Sequence, residues 1–393
     1  MKKLGLALAA VLAFGGCRRE EQGTRIEFWT MQLADFREYI EGVIADFERQ
    51  RPGVKVVWID VPFDAMGQKL MTAYVAGRPP DVVNLNLDLA SSLAPLGALV
   101  DVRDRGAPYL PAAWEALRFG EGIYAFPWYL STEVTLYNSA LLPEPPARFD
   151  LLPDCAPDAY VICPKIGSDP DLLKYFAMNG ARGVRDGRVD FSDPACTETL
   201  LLWKRMLDAK KIPREALTES HRVAIRLYNE GKVAILLSGP QFLRIVRENN
   251  PAVYRATRVA PCLAGRADVT NIAVMCVAAT TASPRRDDAV AFAEFLTNAA
   301  NQLAFCKRVP ILPSATAALE DPFFSREESI EDRARRIATR QLRTNGRVLA
   351  TGLKRAKEVQ KILQQVIQEV CFEGADPDKA LRRAEETINR LVR

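Results

Sequence analysis

The residues best suited to binding a ligand lie in the stretch GIYAFPWYLSTEVTLYN, between residues 122 and 138. Two aromatic residues, Trp128 and Tyr129, follow Pro127 there, and Glu133 ends the polar group that comes next. Flat aromatic faces beside hydrogen-bonding groups suit a ligand that has apolar faces and a polar rim. We expect Trp128 and Tyr129 to stack on such a ligand, and Glu133 to pair with a ligand hydroxyl or amine or with a nearby arginine.

The sequence is poor in the residues that catalysis and metal binding usually need. His221 is the only histidine, whereas hydrolytic triads and zinc sites use histidine together with partner residues. No nucleophile–base pair and no pair of carboxylates has a spacing that suits catalysis. The 53 basic and 49 acidic side chains leave a net charge of only +4, and no motif that reads DNA or RNA is present. We therefore expect a binding protein without cofactor, metal or nucleic-acid partner, and not an enzyme.

The first residues have the pattern of an export signal. A charged start, Met1-Lys2-Lys3, precedes the apolar run LGLALAAVLAF and then the small residues before Cys17. This run is too short to span a bilayer as a mature helix. The pattern predicts a lipoprotein signal peptide over 1–16, acylation of Cys17 and a tether over 17–24; an ordinary secretory signal cut near Cys17 is the alternative. Either way, we expect an exported protein at the extracytoplasmic face of a bacterial membrane.

The elements that must position the candidate residues begin as an alternation of strands and helices. Strands are predicted at RIEFW, VKVVWI and DVVNL, with helices between them whose apolar residues recur at helical spacing. Such an alternation is typical of a parallel sheet with right-handed crossovers. A chain of 393 residues also exceeds what one core usually serves. The sequence thus predicts an α/β fold with two lobes.

The rest of the chain adds further helices and two long apolar strands. Strands are predicted over 232–238 and 269–280, and one helix is predicted from Ser283-Pro284 through Phe305. Further helices are predicted over 171–180, over 195–210 and in the tail. Apart from Cys17 there are seven cysteines. Pairs 155/163 and 262/276 could form disulfides, but buried free thiols fit equally well, so no disulfide is predicted.

Several polar residues directly follow predicted strands. Trp29 and Gln32 lie at the end of the first strand, and Asn86 and Asp88 follow the third. Open α/β sheets bind ligands at the carboxyl ends of their strands, so we expect these four residues to contact a ligand. Core packing is the alternative for Trp29, and helix capping is the alternative for Asn86 and Asp88.

Six segments, in the same order along the chain, resemble bacterial extracellular solute-binding proteins of family 1, which are similar to maltose-binding protein. They are FDAMGQKLMTAYVAGRPPDVVNLNLD (63–88), SLAPLGALVDV (92–102), GIYAFPWYLSTEVTLYNSALLPE (122–144), EGKVAILLSGPQFL (230–243), ASPRRDDAVAFAEFLT (282–297) and VIQEVCFEGADPDKALRRAEETIN (366–389). Asp268-Val269-Thr270-Asn271 replaces a glycine pair of the family, which bears on the identity of the ligand more than on the fold.

The resemblance implies the fold of a type II periplasmic binding protein, with two discontinuous α/β lobes joined by a hinge. It implies a first lobe of 25–132 plus 279–345, a second lobe of 133–278 plus 346–393, and a hinge at Tyr137 and Asn138. The protein would be a monomer that carries a carbohydrate between its lobes to the transmembrane subunits of an ABC permease.

The resemblance also adds ligand-binding candidates. Gln241 and Phe242 follow the Gly-Pro turn after which sugar-binding members often carry an aromatic residue. Asn271 stands where the glycine pair of the family is replaced, and Arg308 lies in a loop that approaches the cleft in relatives. Alternatives to a sugar are a phosphorylated polyol, a polyamine or an anion, and the alternative to transport is a degenerate sensor that binds a partner protein.

Overall fold

The structure is a computed structural model that describes residues 24–164, 166, 171–185, 187–217, 221–349, 353 and 355–393. The predicted signal peptide, Cys17 and the tether up to residue 23 lie outside the described residues. Within the described part of the chain, no helix is both long and apolar enough to cross a bilayer.

The strands range from two to ten residues in length. They are β1 (Thr24–Met31), β2 (Val54–Val61), β3 (Val82–Asn86), β4 (Arg118–Phe119), β5 (Gly122–Ile123), β6 (Phe126–Thr132), β7 (Val134–Asn138), β8 (Tyr160–Ile162), β9 (Gly183–Arg185), β10 (Arg188–Asp190), β11 (Val233–Ser238), β12 (Thr257–Ala260), β13 (Thr270–Ala279), β14 (Leu312–Pro313) and β15 (Gly346–Arg347).

The helices cover the faces of these sheets. They are α1 (Arg37–Gln50), α2 (Phe63–Val75), α3 (Leu87–Leu93), α4 (Pro111–Glu115), α5 (Asp171–Met178), α6 (Pro194–Asp208), α7 (His221–Asn229), α8 (Phe242–Asn249), α9 (Pro251–Ala256), α10 (Arg286–Leu296), α11 (Ala299–Cys306), α12 (Thr316–Leu319), α13 (Ile330–Thr344), α14 (Ala356–Ile367) and α15 (Pro377–Leu391).

The first lobe is built on the larger sheet, whose strand order is β14-β6-β13-β3-β1-β2, with β15 paired to β13. The strands β1, β2 and β3 are parallel, as their alternation with helices predicts, and β13 and β6 are added antiparallel. Phe28 of β1 has no exposed surface and packs edge-on against Phe292 of α10, with ring centroids 5.2 Å apart. The core of this lobe therefore lies between the sheet and its covering helices.

The second lobe contains the smaller sheet, with strand order β12-β7-β11-β8. Every residue of β11 is buried, because helices such as α7 cover the sheet. Trp203 of α6 and Tyr228 of α7 have no exposed surface and are among the largest side chains of this core.

The chain passes from one sheet to the other at Glu133. β6 ends at Thr132 in the first sheet and β7 begins at Val134 in the second, so Glu133 alone lies between them. Tyr137 and Asn138, expected at the hinge, lie inside the second sheet, where Tyr137 pairs with Ile235. The crossing therefore lies before Tyr137 and Asn138, and it coincides with the expected end of the first lobe segment at residue 132.

The return to the first lobe also comes earlier than expected. β13 pairs with β6 and β3 from Ile272 to Ala279, so this strand belongs to the larger sheet. The expected boundary at residue 279 is corrected to a position before Thr270. The helix expected from Ser283 through Phe305 is interrupted, because the Asn298 side chain accepts a hydrogen bond from the Asn301 amide (2.9 Å) and begins a new helix, α11.

The aromatic segment around Pro127 forms the strand β6. Proline lacks the amide hydrogen that a central strand needs. Here the register of β6 on β13 shifts between Met275 and Cys276, next to Pro127. A bulge of this kind removes one ladder bond and so accommodates the proline.

Gln302 of α11 holds this strand in place. The side chain has no exposed surface. Its Nε2 donates to the carbonyls of Pro127 (3.2 Å) and Thr297 (2.6 Å), and its Oε1 accepts from the amides of Ser314 (2.6 Å) and Ala315 (3.1 Å). One amide group therefore satisfies backbone groups from three separate segments.

The cysteine pairs that could have formed disulfides do not do so. Cys155, Cys163, Cys262 and Cys276 form no disulfide bond within the described residues, and neither do the other cysteines there. Burial raises the pKa of the Cys163 thiol to about 12, so this thiol stays protonated at neutral pH.

We expect Gln302→Leu to lower the free energy of unfolding by about 3 kcal/mol, because buried backbone groups would lose their partners at about 1–3 kcal/mol each. Urea denaturation measures this. The exposed residue Gln50, for which no side-chain hydrogen bond occurs in the described residues, supplies the control Gln50→Leu, which should change stability by less than about 0.5 kcal/mol. Equal stability of the two variants would contradict the role of Gln302.

Candidate functional site

The edges of the two sheets face each other where the chain crosses. The parallel strands β1, β2 and β3 end at the edge of the first sheet at which β6 also ends. In the second sheet, β7 begins and the parallel strands β8 and β11 end at the edge nearest Glu133. We call the space between these two edges the gap. Loops at the carboxyl ends of strands from both lobes therefore border the gap.

Hydroxyl and amide side chains join two of the segments in which the chain passes between the lobes, 132–135 and 261–271, to each other; these are called the two crossing segments. The Thr132 hydroxyl donates to the carbonyl of Asn271 (2.9 Å), and the Thr135 hydroxyl donates to the carbonyl of Pro261 (2.8 Å). These bonds run alongside Glu133 and fix the spacing of the two segments. The crossing is therefore a hydrogen-bonded pair of segments and not a pair of independent linkers.

Gln341 of α13 bridges both crossing segments with one side chain. Its Nε2 donates to the carbonyl of Glu133 (2.8 Å), and its Oε1 accepts from the amide of Cys262 (2.7 Å). Only 5% of Gln341 is exposed, so water cannot readily replace these bonds. Sequence analysis missed this residue, because its partners are distant in sequence.

The predicted ligand residue Asn271 has a structural role at the crossing. Its side-chain Oδ1 accepts from the amide of Leu349 (3.2 Å), and the amide of Thr270 donates to Asn345 (3.0 Å). These bonds attach the segment after α13 to β13. Asn271 also borders the gap.

A crevice in the gap lies next to the crossing. It is lined by Glu133, Phe149, Asp171, Lys174, Tyr175, Met178, Leu237 and Asn271. The crevice brings together two of the predicted residues, Glu133 and Asn271. Lys174 and Asp171 form an ion pair of 2.5 Å at its wall, so the crevice offers apolar rings together with charged and amide groups.

The aromatic wall of the crevice was not predicted. Tyr175 packs edge-on against Phe149 and against Trp203, at 5.2 Å between centroids in both pairs. Burial, and to a smaller extent the charge of Glu133, hold the pKa of Tyr175 well above its ordinary value. The phenol therefore stays neutral and can donate a hydrogen bond at any physiological pH. Tyr175 lies in α5, which follows β8 at the gap edge. A position after a strand is the sequence signal that could have identified Tyr175 as a residue of the site.

Gln241 and Phe242 lie at the gap, at the end of β11. The Gln241 side chain folds over Gly239 so closely that a Cβ at Gly239 would meet its Oε1 at 2.2 Å. This Oε1 is buried and has no hydrogen-bond partner among the described residues. Phe242 packs edge-on against the ring of His221 at 5.2 Å, and His221 Nε2 lies 3.0 Å from the Ser238 hydroxyl. His221 thus supports the position of Phe242.

Gln32, Asn86 and Asp88 lie at the opposite edge of the gap. Gln32 is exposed and has a left-handed backbone with φ of 53°. Asn86 caps α3, because its Oδ1 accepts from the amide of Leu89 (2.9 Å). Asp88 is exposed. Asn86 therefore caps a helix, which was the alternative to ligand binding. All three residues lie at the gap because they follow strands whose carboxyl ends point toward it.

Trp29, Trp128 and Tyr129 pack in the first lobe. Trp29 is only 6% exposed, its Nε1 donates to the Glu27 carboxylate, and the Lys69 ammonium lies 4.5 Å from its ring. Core packing, the alternative for Trp29, is thus observed.

Trp128 has no exposed surface and stacks on Phe305 at 5.3 Å with ring planes 18° apart. A ligand cannot reach its face, so the expected stacking role of Trp128 is corrected to a core role. Tyr129 is half-buried and packs against the same Phe305 ring at 5.6 Å.

Arg308 lies at the end of α11. Its guanidinium donates to the carbonyl of Ala304 (2.9 Å) and lies 5.7 Å from the ring of Tyr39 in α1. No contact in the described residues joins it to the crossing segments. The described residues also contain no group of three or more histidine, cysteine or carboxylate side chains that could hold a metal.

Comparison with known proteins identifies the family. The sequence model of the bacterial extracellular solute-binding proteins matches residues 32–303, which is more than half of the chain. The chain therefore belongs to this family, and the resemblance noted in the sequence is confirmed. An uncharacterised lipoprotein encoded 5′ of oleD in Streptomyces antibioticus is 22% identical over 308 residues, which cover 71% of this chain and 68% of that protein.

Two solved structures support the same fold. One is a protein from Synechococcus sp. MITs9220 described as an oligosaccharide periplasmic-binding protein; it is 31% identical, with a TM-score of 0.84, over 93% of this chain and 98% of that one. The other is the sugar-binding protein MalE from Xanthomonas citri, 20% identical, with a TM-score of 0.79, over 94% and 97% of the two chains. The predicted two-lobed type II fold is thereby confirmed.

We expect Gln341→Met to lower the free energy of unfolding by about 2 kcal/mol, because the Glu133 carbonyl and the Cys262 amide would lose their buried partner. Hydrogen exchange should rise in peptides that cover 132–135 and 260–264. Gln365→Met, at an exposed position of α14, is the matched control and should leave both readouts unchanged. Unaltered exchange in the two crossing segments of Gln341→Met would contradict the bridge.

Proposed function

We propose that this protein is the substrate-binding subunit of an ABC importer and that it binds a carbohydrate, unchanged chemically, in the gap between its lobes. The observation that carries the proposal is that the ligand-facing edges of two sheets oppose each other at Glu133 and present amides, carboxylates and aromatic rings together. The family to which the chain belongs supports the transport role, because its members bind extracellular solutes.

The side chains at the gap match the surface of a sugar. A sugar has CH faces that pack on aromatic rings, and we assign this contact to Phe242, which is half-buried. Tyr175 is only 6% exposed, so we assign to it a hydrogen bond from its hydroxyl and not a stacking contact. Its hydroxyls both donate and accept, and we assign those bonds to side chains of both lobes: Gln32, Asn86, Asp88, Glu133, Asn271 and Gln241. A buried hydroxyl left unpaired would cost about 1–3 kcal/mol, so ligands that match the polar groups are selected.

The unpaired Oε1 of Gln241 favours a ligand with hydroxyl groups. A buried acceptor without a partner lowers stability, and a rotation of the Gln241 side chain away from Gly239 would let a hydroxyl group in the gap donate to it. The description of the Synechococcus relative as an oligosaccharide-binding protein supports a sugar of more than one unit.

The lobes would close on a ligand by moving relative to each other at the crossing. A ligand that contacts both edges binds the closed arrangement more tightly than the open one, and this difference in affinity sets how far it shifts the population. The closed form, with ligand enclosed, would then be recognised by the transmembrane subunits of the permease. We further propose that the mature protein is a monomer held at the membrane by a lipid on Cys17.

A thermal-shift screen with the mature chain tests the ligand class. We expect maltose or longer oligosaccharides to raise the melting temperature in a concentration-dependent way, since a ligand that binds only the native state stabilises it. Spermidine, glycerol 3-phosphate and sulfate are tested in the same way, and they represent the alternative ligand classes of polyamines, phosphorylated polyols and anions. A shift with one of these and none with any sugar would overturn the carbohydrate assignment.

We expect Gln241→Leu to weaken binding of the sugar found in that screen about tenfold, which corresponds to one lost hydrogen bond of about 1.4 kcal/mol. The free energy of unfolding without sugar should not fall, because the substitution removes an unsatisfied buried acceptor. Isothermal titration calorimetry measures the affinity and urea denaturation the stability. Gln365→Leu is the matched control, and unchanged affinity in Gln241→Leu would contradict the assigned contact.

A further inference from the structure

One end of the first lobe, opposite the gap, combines protruding apolar side chains with arginines. The strands β1, β2 and β3 point their carboxyl ends toward the gap, so their amino ends lie here together with the end of α2 and the start of α10. We call this surface the basal face and define it by six exposed residues: Arg25, Val75, Arg78, Leu96, Arg285 and Arg286.

Hydrogen bonds hold the parts of the basal face together. The Tyr74 hydroxyl donates to the carbonyl of Ala98 (3.1 Å), which joins the end of α2, with Val75, to the turn that contains Leu96. The amide of Thr281 donates to the same carbonyl (3.0 Å). The segment that leads into α10 therefore packs beside this turn.

Asp81 attaches the first strand to the same surface. Its carboxylate accepts from the amide of Glu27 (2.7 Å) and from the hydroxyl of Ser283 (2.5 Å). Arg25 lies just before Glu27 in β1, and Arg285 lies just after Ser283. The arginines of the basal face thus come from separate parts of the chain that the fold brings to one end of the lobe.

The arginines of the basal face lack acidic partners. Within the described part of the chain, none of Arg25, Arg78, Arg285 and Arg286 forms an ion pair, and the Nε of Arg286 donates only to the carbonyl of Thr281 (2.7 Å). The carboxylates of Glu27 and Asp81 are half-buried and accept hydrogen bonds from neutral donors, and Asp288 pairs with Arg51 (3.0 Å). Among the exposed side chains, the four arginines of the basal face lie near one exposed carboxylate, Asp287, so the exposed surface of this face carries an excess of positive charge.

The apolar residues of the basal face are unusually exposed. Val75 is 88% exposed and Leu96 is 69% exposed, the largest values for big hydrophobic side chains in the described residues. Apolar side chains that protrude beside cations suit a membrane surface, where they enter the headgroup region while the cations contact lipid phosphates.

We propose that the basal face binds the surface of a bilayer that contains anionic phospholipids. The described chain begins at Thr24 in β1, so the segment that carries Cys17 joins the molecule at this face, and the unpaired arginines complement anionic headgroups. The proposal rests on the proposed export to a membrane surface, and it adds a contact that does not require the lipid on Cys17.

Vesicle sedimentation of the chain without residues 1–17 tests this contact. Because β1 begins at Thr24, every described element remains in that chain. We expect it to sediment with vesicles of phosphatidylglycerol and phosphatidylcholine mixed 3:7 and not with phosphatidylcholine alone. Raising the salt concentration tenfold should release it, because salt screens exposed charges. No sedimentation with the anionic vesicles at low salt would overturn the proposal and would favour an acidic protein as the partner of this face.

Two pairs of substitutions locate the contact on the basal face. Each arginine near an anionic surface contributes about fivefold to the partition coefficient, so R285Q/R286Q should lower it about 25-fold. V75S/L96S should lower it about tenfold, because less apolar surface enters the headgroups. Both pairs change exposed residues, and circular dichroism should find both variants folded.

R333Q/R340Q is the matched control, since Arg333 and Arg340 are exposed on α13 and form no ion pair in the described residues. If this control loses as much vesicle binding as R285Q/R286Q, the effect comes from the net charge of the protein. That result would overturn the proposal that the basal face is the membrane-binding surface. The sugar-induced thermal shift should be the same in all these variants. A sugar response without vesicle binding overturns this inference alone, whereas vesicle binding without a sugar response overturns the proposed function alone.

Discussion

The architecture of this protein depends on a single-residue crossing between two sheets. Because only Glu133 separates β6 from β7, the second sheet must begin where the first one ends, and the two edges are forced to face each other. The parallel strands of both sheets then point their carboxyl ends into the same space. A binding gap between the lobes is thus a consequence of chain connectivity before any ligand-binding side chain is considered.

Polar side chains fix the geometry of this crossing. Thr132 and Thr135 connect the outgoing and returning segments, and Gln341 bonds both with a buried amide. Buried amides are costly to leave unpaired, so the segments are held at a fixed spacing. The crevice with Tyr175 lies beside this joint, where burial keeps the phenol neutral and available as a hydrogen-bond donor.

Local sequence signals predicted the fold well and the site only in part. The parallel start of the first lobe follows from strand and helix periodicity, and polar residues after strands, such as Asn86 and Gln241, do border the gap. Trp128 was misassigned because the ring that covers it belongs to Phe305, far away in sequence. The support of the strand around Pro127 likewise comes from Gln302, which is distant in sequence. Such long-range partners leave no periodicity in a single sequence.

The paired crossing segments also determine how the gap can open. Segments that are bonded side by side resist sliding, so the proposed closure would be a rotation about the crossing, and the gap would open as a wedge. Gln32 follows β1, three strands away from β6, which is about 14 Å at the usual strand spacing. Glu133, which lies at the crossing, would move least. A ligand would therefore first be held at the narrow end beside Tyr175, and Gln32 would complete the enclosure last.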